Sequence, residues 1–332
     1  MKNTLLILFS FSPLFYNFYS QEKEKDSLNF KLISLEEINV TSTRVVKEQP
    51  FSFSNIDKSN LESRNLGQDL PILLNFLPSV VTTSDAGAGI GYTGIRVRGS
   101  DATRVNVTIN GIPYNDSESQ GTFWVNLPDF SSSVQNIQLQ RGVGTSSNGS
   151  SAFGASLNIL TDGISKEKFL DISNSFGSFS TLKNTVKFST GAINENFQIS
   201  GRFSKIISDG YIERASSDLR SYFLQTSFSK NNTLFKALLF GGHEITYQSW
   251  YGVDPETLKI NRRYNFAGEI YDEIGKFQEF YDDQVDNYKQ DHLQFHWNQI
   301  YNDKMSFSLG FNYTHGRGYY EEFNDKWNDE NY

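Results

Sequence analysis

Residues 220–229 read RSYFLQTSFS, and the alternation in those ten residues decides the fold. Successive side chains of an extended strand point to opposite faces, so Tyr222, Leu224, Thr226 and Phe228 share one face and Ser221, Phe223, Gln225 and Ser227 the other. The same texture recurs at Phe169–Gly177, Lys183–Gly191, Phe197–Lys205, Leu234–His243, Asp291–Tyr301 and Met305–His315. The last of these puts Met305, Phe307, Leu309, Phe311 and Tyr313 on one face. About ten residues is the length a tilted strand needs to cross the hydrocarbon layer of a membrane. The connections alternate too, short turns (AINEN, KNNT, NDK) trading places with the longer stretches Ile206–Leu219 and Glu244–Gln290. Short turns at one end and long loops at the other are the habit of outer-membrane barrels, and a soluble β-sandwich has no reason to keep that order. Residues 169–332 are therefore expected to form the N-terminal portion of a transmembrane antiparallel β-barrel.

Composition agrees. The chain of 332 residues holds 28 Phe and 17 Tyr, yet its mean hydropathy is polar at -0.47. Averaging along strands that alternate lipid-facing and water-facing residues hides an apolar face in this way. A net charge of -8 leaves no basic excess to neutralise a phosphate backbone, so no nucleic-acid partner is expected. With no cysteine the chain has neither a disulfide framework nor a lipoprotein anchor.

The chain begins MKNTLLILFSFSPLFYNFYS, one early Lys2 followed by an apolar run too short for a membrane span, which reads as a signal peptide over residues 1–20. Export is expected, with a retained N-terminal anchor as the rival. Residues 21–45 follow as a periplasmic tether, charged and without apolar period up to Lys31. Within the tether, LEEINVTSTR (Leu35–Arg44) alternates Ile38 and Val40 with polar neighbours. Such a segment can add itself to the edge of another protein's sheet, or it is the first strand of the next domain.

Residues 46–163 read as a compact mixed α+β domain. Leu66, Leu70, Leu73, Leu74 and Leu77 stand at helical spacing, interrupted by Pro71 and Pro78. VNVTINGIPYND is a hairpin, because Asn110-Gly111 is a type I′ turn pair flanked by alternating apolar residues. Strands follow through Val134, Ile137 and Leu139 and through Leu157, Ile159 and Thr161. Ahead of the hairpin, Gly89, Gly91 and Gly94 have the G-x-G-x-x-G spacing of a dinucleotide site, but IRVRG continues as a strand where that site needs a helix. In GVGTSSNGSS the position that would need a phosphate-gripping Lys is Ser150. Neither glycine run is a nucleotide site.

Several ordered motifs of this middle domain resemble the plug domain of TonB-dependent outer-membrane receptors. They are Arg98-Gly99 at a strand end, Asn110-Gly111-Ile112-Pro113, Ile137 to Arg141-Gly142, and Gly154-Ala155-Ser156-Leu157-Asn158-Ile159. Asn110, Val143 and Ala155 depart from the family's Asp, Pro and Gly at the corresponding positions. LEEINVTSTR, ahead of the plug, resembles the family's TonB box. The resemblance implies pairing of Leu35, Glu37, Ile38, Val40 and Thr41 with TonB and its inner-membrane energising complex. It implies an apical plug loop at Gly87, Gly89, Gly91 and Tyr92, and contacts of Arg98 and Arg141 with carboxylates of the barrel wall. It also implies active import of a scarce solute, an iron chelate first, across the outer membrane of a Gram-negative bacterium, with a lipid-facing barrel exterior. An adhesion or binding protein without energy coupling is the alternative. Family barrels close at about 22 strands, so seven candidate strands read as an incomplete, C-terminally truncated barrel.

No enzyme, cofactor or metal is expected. His292 and His296 share a strand face but form no H-E-x-x-H, no nucleophile elbow is present, and two such histidines read as polar residues facing the barrel lumen.

Overall fold

The computed structural model describes residues 44–45, 49–143, 152–302 and 304–323. The signal peptide, the TonB-box-like residues Leu35–Thr41 and most of GVGTSSNGSS lie outside the described residues.

The middle domain is built on a mixed five-stranded sheet. In chain order its elements are β1 (Phe53–Asp57), α1 (Lys58–Glu62), α2 (Leu70–Leu73), β2 (Val80–Ser84), β3 (Thr93–Val97), β4 (Val105–Ile109), β5 (Ile112–Pro113), β6 (Val134–Arg141) and β7 (Ala155–Thr161). The sheet order is β1-β6-β7-β4-β5, parallel between β4 and β7 and antiparallel elsewhere, with β2 and β3 pairing as a separate hairpin. The Asn110-Gly111 turn is as its sequence demands, φ 53° and 81°, both positive as a type I′ turn requires. The leucines at helical spacing give only single turns of helix. Pro71 starts α2 and Leu66 is exposed, so the stretch packs Leu70, Leu73, Leu74 and Leu77 against the sheet without a continuous helix.

The second part is a seven-stranded antiparallel meander: β8 (Lys168–Phe176), β9 (Leu182–Thr190), β10 (Phe197–Ser208), β11 (Ser217–Lys230), β12 (Thr233–Tyr247), β15 (Val285–Asn302) and β16 (Met305–Glu321). Between β12 and β15 a long connection carries α3 (Pro255–Ile260) and a hairpin of β13 (Glu269–Tyr271) and β14 (Phe277–Phe280). Each of the seven alternating segments is a strand here. The sheet is a curved wall, open between β8 and β16.

Its two faces invert the order of a water-soluble protein. Thr185, Ser204, Ser221, Gln225, Ser227, Gln294 and Asn298 are buried toward the middle domain, while Ile172, Phe203, Phe311 and Tyr313 are exposed on the other face. Polar side chains inward and large apolar ones outward are the signature of a transmembrane barrel wall. Among the described residues no helix is long and apolar enough to cross a membrane, which leaves strands unaddressed.

The two parts share one core. Val107, Ile109, Ile137, Leu139, Leu157 and Ile159 of the sheet join Trp124 and Phe130, and the wall adds Phe223, Leu238 and Phe240. Phe130 is the wedge, its ring centroid 6.1 Å from Phe223 and 5.4 Å from Phe240. Burying a side chain of that size is worth about 1.5–3 kcal/mol.

Candidate functional site: the seam between plug and wall

The glycine hairpin between β2 and β3 is pressed on the wall. A Cβ at Gly87 would sit 3.0 Å from the Tyr211 ring, and one at Gly91 2.9 Å from Ser217 Oγ, with φ of +70° and +89° that L side chains rarely adopt. Gly89 between them is also at positive φ. The β10–β11 connection meets the same tip: Tyr211 N and Ile212 N donate to Ala86 O at 2.8 and 3.1 Å. Tyr92 closes the contact, its hydroxyl donating to Asp286 and its ring standing edge-on to Trp250 at 5.2 Å. Behind the tip, Asp69 N donates to Gly89 O and Asp69 Oδ2 accepts from Thr93 Oγ1 at 3.0 Å. Burial pushes the Asp69 carboxyl up to about 8, against the hydrogen bonds from Thr93 and the Gly91 backbone. Burial, with Glu244 and Asp286 beside it, likewise raises the Tyr92 hydroxyl.

Two plug carboxylates fasten the domain lower on the wall. Asp129, whose side chain is fully buried, receives Lys183 Nζ at 2.7 Å and Arg202 Nη1 at 3.4 Å. It also accepts from Thr185 Oγ1 at 2.7 Å, Ser204 Oγ at 2.6 Å and Asn65 Nδ2 at 2.9 Å. Burial alone would raise this carboxyl, but Arg202 and Lys183 outweigh it and hold it well below the usual carboxylate range. At the exit of the plug, Asp162 is gripped by Lys187 of the wall and by Lys58, whose Nζ lies 2.8 Å away. Lys187 and Lys58 overcome burial there as well and keep the carboxyl below its ordinary value. Lys236 Nζ adds 3.0 Å to Thr161 Oγ1 and 3.2 Å to Asp162 O.

Among the described residues the ion pairs across the seam join plug carboxylates to wall cations. Arg98 and Arg141, expected at carboxylates of the barrel wall, bind within the plug instead: Arg141 Nε donates to Pro78 O at 2.9 Å, Arg141 Nη2 to Ser54 Oγ at 2.7 Å, and Arg98 Nη1 to Arg141 O at 3.3 Å. Both stand at strand ends with carbonyls in reach, and no described wall carboxylate is their partner. Asp129 and Asp162 were missed because an Asp in LPDF or LTDG reads as a turn residue. The available signal was Lys183, Lys187 and Arg202 on strand faces made largely of Ser, Thr and Gln.

The chain enters the plug through a side-chain clamp. Val45 N donates to Gln138 Oε1 at 2.8 Å and Val45 O accepts from Gln138 Nε2 at 3.0 Å, so one glutamine of β6 imitates a neighbouring strand. Arg44 Nη2 donates to Asn158 O at 3.0 Å.

A polar cavity of about 260 Å³ lies between the loop after β5 and strands β15 and β16, lined by Tyr114, Asn115, Asp116, His292, Gln294 and Asn312 among others. His292 faces inward with both ring nitrogens engaged, by Thr314 Oγ1 and Gln290 Oε1 at 3.0 Å each, and its ring stacks on Phe240 at 4.8 Å. Among the described residues no three His, Cys, Asp or Glu side chains are placed to hold a metal.

Residues 45–156 match the family model of the TonB-dependent Receptor Plug Domain. No curated protein matches the chain in sequence. Among solved structures it is similar to the closed form of the ferric-catecholate import receptor Fiu of E. coli K12, at TM-score 0.64 and 14% identity over 86% of this chain and 39% of that one. The siderophore receptor PiuA of Acinetobacter baumannii gives TM-score 0.61 and 14% identity over 85% and 39%. The ferric citrate transporter FecA gives 0.62 and 16% over 83% and 42%. The chain spans about 40% of the length of these structures. A seven-stranded inverted wall, a mixed sheet docked on its polar face and a matching plug sequence converge: residues 45–156 are a plug domain of the TonB-dependent receptor kind, and the strands that follow have the fold of part of such a receptor's β-barrel.

Proposed function

We propose that this plug and wall serve active import of an iron chelate across the outer membrane, driven by pairing of Leu35, Glu37, Ile38, Val40 and Thr41 with an edge strand of TonB. An outer membrane holds no ATP, so the work arrives through a mechanical contact. The observation that carries the reading is the Val45–Gln138 clamp. It ties the chain just after that segment to β6, an interior strand of the plug sheet, so that tension on the segment reaches the plug and not a slack linker. The likeness to receptors and transporters named for ferric catecholate, siderophore and ferric citrate supports an iron chelate as cargo. The outward apolar face of the wall supports lipid around the barrel.

The test is uptake of radioactive iron as catecholate, hydroxamate and citrate chelates by iron-starved cells relying on this receptor, with and without residues 35–41. Loss of uptake on deletion, with surface binding of the chelate retained, is the expected result. Uptake that survives the deletion overturns energy coupling through this segment. Binding of a chelate without uptake by the intact receptor supports the adhesion alternative instead.

A further inference from the structure

The outward face of the wall carries one basic side chain on each of five neighbouring strands, in a single row. Lys205 of β10 is paired with Arg220 of β11, Arg220 with His243 of β12, His243 with Lys289 of β15, and Lys289 with Arg317 of β16. At about 4.8 Å per strand the row runs about 19 Å. Like charges directly opposite one another destabilise a sheet, so such a row needs a reason. Two carboxylates offset it in part: Asp218 lies 3.2 Å from Lys205 and 3.5 Å from Arg220, and Asp291 lies 3.2 Å from Arg317 and 3.8 Å from Lys289. Four permanent cations against two carboxylates still leave an excess of positive charge.

The surroundings say what the row faces. One step along the strands come Phe203 and Tyr222, and a further step brings Leu224, Leu239 and Leu293 into register across β11, β12 and β15. In the other direction the strands lead into the long β10–β11 and β12–β15 connections, the end that faces outward in a barrel of this kind. Gly241 lets the Tyr222 hydroxyl close over the strand onto Asp291 Oδ1 at 2.7 Å, since a Cβ there would lie 3.0 Å from both. A groove of about 720 Å³ lined by Phe203, Lys205, Arg220, Tyr222, His243 and Lys289 opens at this place. Cations above, an apolar slope below and a groove between them fit an amphiphile with an anionic head and hydrocarbon tails.

We propose that this row binds the phosphate groups of an anionic lipid of the outer leaflet, a multiply phosphorylated glycolipid whose acyl chains lie over Leu224, Leu239 and Leu293. The experiment is native mass spectrometry of the full chain purified in detergent, with bis-phosphorylated lipid A as probe and phosphatidylcholine as the neutral comparison. The triple variant Lys205→Gln/Arg220→Gln/Lys289→Gln is compared with Lys168→Gln/Lys230→Gln, which removes exposed charge at the far end of the strands. At about a factor of five for each basic residue, the triple variant should bind lipid A on the order of 100-fold more weakly, the far-end variant as wild type, and phosphatidylcholine should be unaffected. Lys205→Arg/Lys289→Arg should retain binding, which separates lost charge from lost folding. Equal binding by the triple and far-end variants, equal retention of lipid A and phosphatidylcholine, or displacement of lipid A by inorganic phosphate alone each overturns the proposal.

Discussion

Replacing Asp129 by Asn should loosen the plug from the wall more than any other single change at the seam. The exchange keeps the size of the side chain but removes a charge that faces two cations with nowhere to go, since the side chains of Lys183 and Arg202 are only 4% and 1% exposed. Stripping the partner from a buried ion pair costs about 3–5 kcal/mol. The assay uses the absence of native cysteine. Ser133, buried beside the seam at 1% exposure, is replaced by Cys, and its thiol labelling rate in detergent reports transient opening. In the regime where closing outruns labelling, Asp129→Asn should label roughly 10²- to 10⁴-fold faster at neutral pH. Replacing all three members by apolar residues (Asp129→Leu, Lys183→Met, Arg202→Met) should recover most of the loss, because two desolvated cations vanish with the anion. A rise of less than tenfold in the single variant, or a triple variant no better than the single one, refutes the reasoning. Because the Asp129 carboxyl is held below its unfolded value, its stabilisation is complete above the ordinary carboxylate range and is lost only as pH falls through and beneath it.

Asp69 has the opposite sign. Its carboxyl is raised to about 8, so its contribution is whole below about pH 4 and is lost as pH rises toward 8; labelling near the hairpin should quicken across that interval, and Asp69→Asn should flatten the profile, while an unchanged profile would count against it. Gly154→Ala should destabilise the plug by about 1–3 kcal/mol in urea unfolding, since its Cβ would lie 2.4 Å from Ser100 Cβ and 3.0 Å from Arg104 O; a change below 0.5 kcal/mol would show that the β7 entry can yield.

The seven wall strands were legible because period-two alternation over ten residues has few other meanings, but their lengths were not. β15 begins at Val285, six residues before the segment Asp291–Tyr301, and β16 runs on to Glu321 beyond His315. The extra residues, VDNYKQ and GRGYYE, carry no apolar outward series, as befits strand that continues past the hydrocarbon. The Asn110-Gly111 turn was legible because its chemistry is local. The charge pairs of the seam were not, because Asp129 and Lys183 lie 54 residues apart and only the docked sheet brings them together. Leu66 was misplaced for a related reason: with Pro71 cutting the helix short, a helical repeat in the sequence has no helix to act on.

The distribution of sign across the seam has a further consequence for passage. Lys183, Lys187 and Arg202 belong to the wall, whereas Asp129 and Asp162 belong to the plug. Any displacement that carries the two carboxylates away uncovers a corridor with positive potential along one side, drawing anions inward and turning cations back. In the proposed importer, the pairs that hold the plug to the wall would then select by charge what passes.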